Sequence, residues 1–156
     1  MGLGLYIEDC VVGKVYRTNG RTIDQSDITL FAGLVGDFST IHTDAEYAKS
    51  MPHGTRIAHG PLTTSCAIGL FAQLGLVDGT VVALLNFNFD MKAVVRGGDT
   101  IHALITIAEA RPTSKKTTGV VKFAYDIRNQ RDETVQLGSM TVLVKARAGE
   151  KAGEKA

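Results

Sequence analysis

Between Pro61 and Leu76 the chain is apolar on nearly every side: Leu62, Cys66, Ala67, Ile68, Leu70, Phe71, Ala72, Leu74 and Leu76. A helix without a polar face belongs inside its protein rather than on it. Pro61 suits the first helical turn, where its missing N–H costs nothing, and Gly75 with the Asp78-Gly79 pair marks the end. The rest of the chain must therefore wrap around this segment.

The residues after Gly79 supply the wrapping. Phe87, Phe89 and Met91 alternate with Asn86, Asn88 and Asp90, the period of a strand. Ile101, Ala103, Ile105 and Ile107 alternate through the next strand, stopped by Pro112, and Val121, Phe123, Tyr125 and Ile127 through another. Val135 to Lys145 reads as the last strand, with turns at Gly97-Gly98-Asp99 and Asn129 to Asp132. Ahead of the buried segment, Tyr6 to Tyr16 reads as an opening strand weakened by Gly13. Ile23 to Leu34 changes to three- and four-residue steps, capped by Asp24 or Ser26, which predicts a helix. Asp44 to Lys49 reads as a short helical turn ended by Pro52-His53-Gly54. One buried helix and roughly five antiparallel strands in a meander make an α+β layout.

A length of 156 residues fits one domain, expected over 1–147, with the charged GEKA repeat in 148–156 expected as a frayed tail. Seventeen basic against 16 acidic residues leave a net charge of +1, no field for nucleic acid or a membrane surface. Cys10 and Cys66 form no disulfide framework and lack metal-ligand spacing. Met1 to Asp9 does not read as a secretory signal, and no apolar run approaches a membrane span. The expectation is a soluble cytoplasmic protein.

Chemistry concentrates in Gly36-Asp37-Phe38-Ser39-Thr40-Ile41-His42-Thr43-Asp44 and in His59-Gly60, seventeen residues after His42. Residues five apart do not share a helix face, so Asp37 and His42 converge only if the chain turns between them. Ser39 and Thr40 suit such a turn, since their hydroxyls bond to nearby backbone. Turned together, the carboxylate and imidazole could hold and activate one water. Gly60, opening the buried helix, could offer a bare N–H at the positive end of the helix dipole. The plainer alternative makes Asp37 a cap and His42 a surface histidine.

This ordered set resembles the MaoC-like hydratases, particularly the (R)-specific enoyl-CoA hydratases. That family carries G-D-x-N-P-x-H-x-D after an apolar helix, then an H-G pair opening a central helix. The similarity covers most of residues 10–145, including Asn86-Phe87-Asn88-Phe89 and Gly98-Asp99-Thr100. Ser39 stands where the family usually has Asn, and Thr40 where it has Pro.

The resemblance implies a hot-dog fold, an antiparallel sheet curled around the central helix. It implies reversible hydration of a trans-2-enoyl-CoA to an (R)-3-hydroxyacyl-CoA, with Asp37 and His42 activating water and Gly60 N–H holding the thioester oxyanion. Ser39 and Ser65 are the expected substrate contacts, with Thr64 a further candidate for the acyl pocket. No metal or other cofactor is expected, since the acyl-CoA substrate carries its own CoA. The exposed edge of a single sheet suggests a homodimer or higher homo-oligomer. His59 is expected to bond backbone near the helix start, His53 to be exposed, and His102 to be structural or on the surface. Lys92, Arg96 and Arg56 are read as solvated. A hot-dog acyl-CoA thioesterase and a non-catalytic acyl-CoA-binding module are the competing readings.

Overall fold

Four long strands and one long helix, buried along one side and exposed at Pro61, Ser65, Gly69 and Ala72, carry the computed structural model, which describes residues 4–148. In chain order these are a 3-10 turn at Ile7–Asp9, β1 (Val15–Arg17), β2 (Arg21–Thr22), α1 (Gln25–Val35), α2 (Thr40–Thr43), α3 (Ala45–Lys49) and α4 (Gly60–Gln73). Then come β3 (Val81–Met91), β4 (Thr100–Pro112), β5 (Thr118–Arg128) and β6 (Thr134–Lys145). The strands are all antiparallel in the order β1-β4-β5-β6-β3, with β2 also paired to β4.

The α+β hot-dog architecture is what these residues build. Ile101, Ala103, Ile105 and Ile107 of β4 and Val121, Phe123, Tyr125 and Ile127 of β5 all point inward and are buried. They close on Leu62, Cys66, Ala67 and Phe71 of α4 in one core. The Phe71 ring meets Phe123 edge-on, with centroids 4.9 Å apart. Each large apolar side chain taken from water here stabilises the fold by about 1.5–3 kcal/mol. At Gly138 of β6 a Cβ would lie 2.4 Å from Phe89 Cδ1, so only glycine lets the Phe89 ring lie against that strand.

Two expectations need correction. The opening segment Tyr6 to Tyr16 is not one strand. Its first residues form the 3-10 turn, closed by Tyr6 N–H donating to Asp9 Oδ2 at 3.1 Å. Ile7 then lies over Gly119 of β5, and Gly13, at φ +88°, bends the chain so that only Val15–Arg17 pairs with β4. The apolar residues read as strand are used for docking instead.

The sheet is also not a simple meander, because β3 pairs with β6 rather than with β4. The link from Lys92 to Asp99 therefore passes the end of β6, where Ala93 N–H donates to Val135 O at 3.1 Å. It also grips the segment before α4, with Ala58 N–H donating to Val95 O at 2.7 Å and a bridge between Ile57 and Arg96.

β3 is the outer edge and leaves Val82, Leu84, Leu85, Phe87 and Met91 exposed. Among the described residues no helix is long and apolar enough to cross a membrane. Of the expected tail, 149–156 lies outside the described residues.

Candidate active site

α1 follows Asp24, whose N–H donates to Asp27 Oδ2 at 2.9 Å, the back-reaching half of a capping box. It stops at Gly36, which takes the left-handed φ of +78° and donates its N–H to Ala32 O at 2.8 Å. That sharp exit puts Asp37 at the start of a turn rather than on a helix. Ser39 caps α2, and Thr43 Oγ1 donates back to Phe38 O at 3.0 Å and to Ser39 O at 3.1 Å. Asp44 caps α3, accepting from Tyr47 N–H at 2.9 Å. Where the family uses proline to set this bend, the local bonding here comes from Ser39 and Thr43. Thr40 only begins the helix.

The turn brings Asp37 and His42 together. Donor or acceptor atoms of Asp37, His42 and His59 all lie within 4.8 Å of one another, a span that one water can bridge. Asp37 is exposed, and its Oδ1 accepts from Ser39 Oγ at 2.5 Å and from Ser39 N–H at 3.1 Å. The Ser39 hydroxyl first, then its N–H, hold the Asp37 carboxyl below the ordinary value of 3.8. His42 is buried, and its Nδ1 lies 2.8 Å from Ile57 O. A carbonyl can only accept, so Nδ1 carries the proton in this bond and the neutral ring keeps a lone pair at Nε2.

His59 ties these parts together more than its expected backbone role would. Its Nε2 donates to the main-chain oxygen of Asp37 at 3.0 Å and lies 3.9 Å from Asp37 Oδ2. Its ring stacks on His42, with centroids 3.7 Å apart and an interplanar angle of 25°, while Phe31 covers it at 5.1 Å. The same stacking bears on metal binding. An imidazole lone pair lies in the ring plane, with Zn–N bonds of about 2.0–2.1 Å. An ion shared by the two stacked rings would lie off the plane of at least one of them, although one donor atom from each of Asp37, His42 and His59 comes within 4.8 Å of the others.

Beside His42 opens a cavity of about 270 Å³ lined by Ile41, Ile57, Ala58, Gly60, Thr63, Met91, Ala93, Val94, Val95 and Gln136. Most of that wall is apolar. Gly60 opens the 14-residue α4 after His59, and its N–H makes no hydrogen bond among the described residues. The structure thus gathers Asp37, Ser39, His42 and Gly60, all expected from sequence.

Ser65 is not in this group. It lies on the exposed face of α4, because it is one step beyond Thr63 and Thr64, which point inward. Thr63 lines the cavity, and Thr64 bonds to Gln136. His53 is half-buried with Nε2 enclosed, not exposed, and His102 is buried beside Asp132 at 3.5 Å. Lys92 pairs with Asp90, and Arg96 Nε reaches His53 O. Sequence reasoning missed Thr63, Met91 and Gln136. The signal for Gln136 was available, since it shares the inward alternation of Met140, Val142 and Val144.

The family model described as MaoC like domain matches residues 9–126. The chain belongs to the MaoC-like family. An (R)-specific enoyl-CoA hydratase from Rhodospirillum rubrum is 37% identical over 114 residues, 72% of this chain and 76% of that protein. Among solved structures, a monoamine oxidase regulatory protein from Archaeoglobus superposes with a TM-score of 0.87 at 31% identity, covering 93% of this chain and 97% of that one. A Mycobacterium tuberculosis protein with a double hot-dog fold gives a TM-score of 0.78 at 22% identity, covering 92% of this chain and 44% of that one, a likeness of fold alone.

Proposed function

We propose that this MaoC-like protein is a hydro-lyase that adds water reversibly to a trans-2-enoyl-CoA, giving an (R)-3-hydroxyacyl-CoA. The observation that carries the reading is one cluster, Asp37 with His42 within water-bridging reach, beside a cavity where α4 begins at Gly60.

The thioester carbonyl makes the substrate's β-carbon electrophilic. Water held by Asp37 and His42 attacks that carbon; a C–O bond forms, the C=C π bond breaks, and negative charge moves to the thioester oxygen. Gly60 N–H and the positive end of α4 stabilise that oxygen. His42 Nε2 takes the proton released by the water, while Asp37 stays ionised and stabilises the imidazolium. The same imidazolium returns a proton to the α-carbon, the thioester carbonyl re-forms, and both additions occur on one face. Read backwards, the cycle is a dehydration. The apolar wall of the cavity suits an acyl chain, and a second copy of this chain is the partner expected along β3.

The test is loss of enoyl-thioester absorbance with crotonyl-CoA, followed by chiral analysis of the product. Rapid loss with an (R)-3-hydroxy product is expected. Release of free CoA thiol without hydration would replace this reading with a thioesterase.

A further inference from the structure

Gln136 is a polar side chain in an inward-facing position of β6, 2% exposed, in a wall otherwise almost wholly apolar. Burying an amide without partners costs about 1–3 kcal/mol, so its contacts need an account. Nε2 donates to Gly60 O at 2.9 Å, and Oε1 accepts from Thr64 Oγ1 at 2.7 Å. Thr64 is 1% exposed, and its hydroxyl also lies 3.2 Å from Gly60 O, so its single proton is shared between two acceptors, the nearer being Gln136 Oε1. Gly60 O can only accept, so the NH₂ end of the amide must face it. That leaves Oε1 for the threonine, and the two bonds together fix which way the amide is turned.

We propose that Gln136 is a positioning residue for the hydration, a strand-borne clamp, locked by Thr64, that holds the Gly60 carbonyl and, through the Gly60 Cα, keeps the N–H of the preceding peptide aimed at the thioester oxygen. This rests on the hydratase reading above. The physical case is one of rigidity. Gly60 lacks a side chain to anchor it, and the first turn of a helix has few backbone bonds of its own. The clamp ties that turn to β6 of the sheet instead of leaving it to fray. Oxyanion stabilisation depends on a donor already in place when charge develops, so loosening the donor slows chemistry more than binding.

The experiment measures kcat and KM for crotonyl-CoA, together with the ¹⁵N–¹H resonance of Gly60 in the full chain. For Gln136→Leu the expected result is a fall in kcat of about 10–100-fold with KM within about twofold, and a displaced Gly60 amide resonance. Thr64→Val keeps the amide's bond to Gly60 O but leaves Oε1 without its donor, so kcat should fall by about 3–10-fold with a broadened Gly60 resonance. Gln136→Glu sets an oxygen against Gly60 O when ionised but can donate a hydrogen bond when protonated. Its activity relative to wild type should therefore climb as pH falls.

If the wild type turns over while Gln136→Leu keeps its kcat, or only KM moves, Gln136 merely lines the cavity and the proposal is overturned. Should Gln136→Leu not fold, Thr64→Val and the pH response of Gln136→Glu decide the matter, and no change in either overturns it. A wild type without hydratase activity would sink the functional reading, whereas the Gly60 resonance would still report whether the clamp exists.

Discussion

Asp37 and His42 respond differently to substitution because one is exposed and the other buried. Asp37→Asn keeps shape and removes charge, so kcat should drop by about 10²–10⁴-fold with an unchanged melting temperature. His42→Gln should abolish turnover to a similar degree, but it also disturbs the 2.8 Å bond to Ile57 O and the stack on His59. Urea denaturation should show a loss of about 1–3 kcal/mol. The plainer sequence reading of His42 as a surface histidine would make the change harmless to the fold, and its burial overrides that. Ser39 offers a test by pH. Its hydroxyl and N–H lower the Asp37 carboxyl below 3.8, so Asp37 is ionised above that range and is lost as an acceptor only when pH falls further. Ser39→Ala removes the larger contribution. The acid limb of the kcat/KM profile should therefore move to higher pH, and an unmoved limb would show that Asp37 ionisation does not set it.

At the scale of an element, the start of α4 is the sensitive point. Here Gly60 has no left-handed φ to protect, and a Cβ would meet chiefly the tip of Met91, with Cε 2.9 Å away. A thioether tip can move at small cost. Gly60→Ala should therefore fold with a melting temperature within about 5 °C of wild type, while kcat falls and longer acyl chains suffer more than crotonyl. An equal effect on all chain lengths would show that Met91 does not shape the acyl path. The Tyr6 to Tyr16 segment teaches a related lesson. Its Ile7 and Val15 match a strand pattern, but Gly13 divides the segment between a docking turn and a three-residue strand.

For the whole molecule, the open question is what covers β3. Leu84 and Leu85 are 58% and 51% exposed on this edge strand, which pairs only with β6 among the described residues. An edge that long and apolar invites pairing with another chain. Sedimentation should find a homodimer at micromolar concentration, and Leu84→Lys with Leu85→Lys should shift it to monomer. A wild type that sediments as a monomer would leave β3 without this partner.

Much of this protein is written locally. The apolar all-round pattern of Leu62 to Leu74 demands enclosure, and the alternations in β4, β5 and β6 state which side chains do the enclosing. The run from Gly36 to Asp44 spells out its own turn through a left-handed glycine and hydroxyl caps, so Asp37, Ser39 and His42 could be named in advance. Contacts across the fold could not. β3 pairs with β6 rather than with its sequence neighbour β4, and the Phe89 ring lies against Gly138 across that pair. Ser65 and Thr63 differ in sequence by two places, yet only the rotation of α4 in its sheet turns Thr63 to the cavity and Ser65 away. The reach of Gln136 to Gly60, 76 residues apart, likewise exists only once the sheet has closed on the helix.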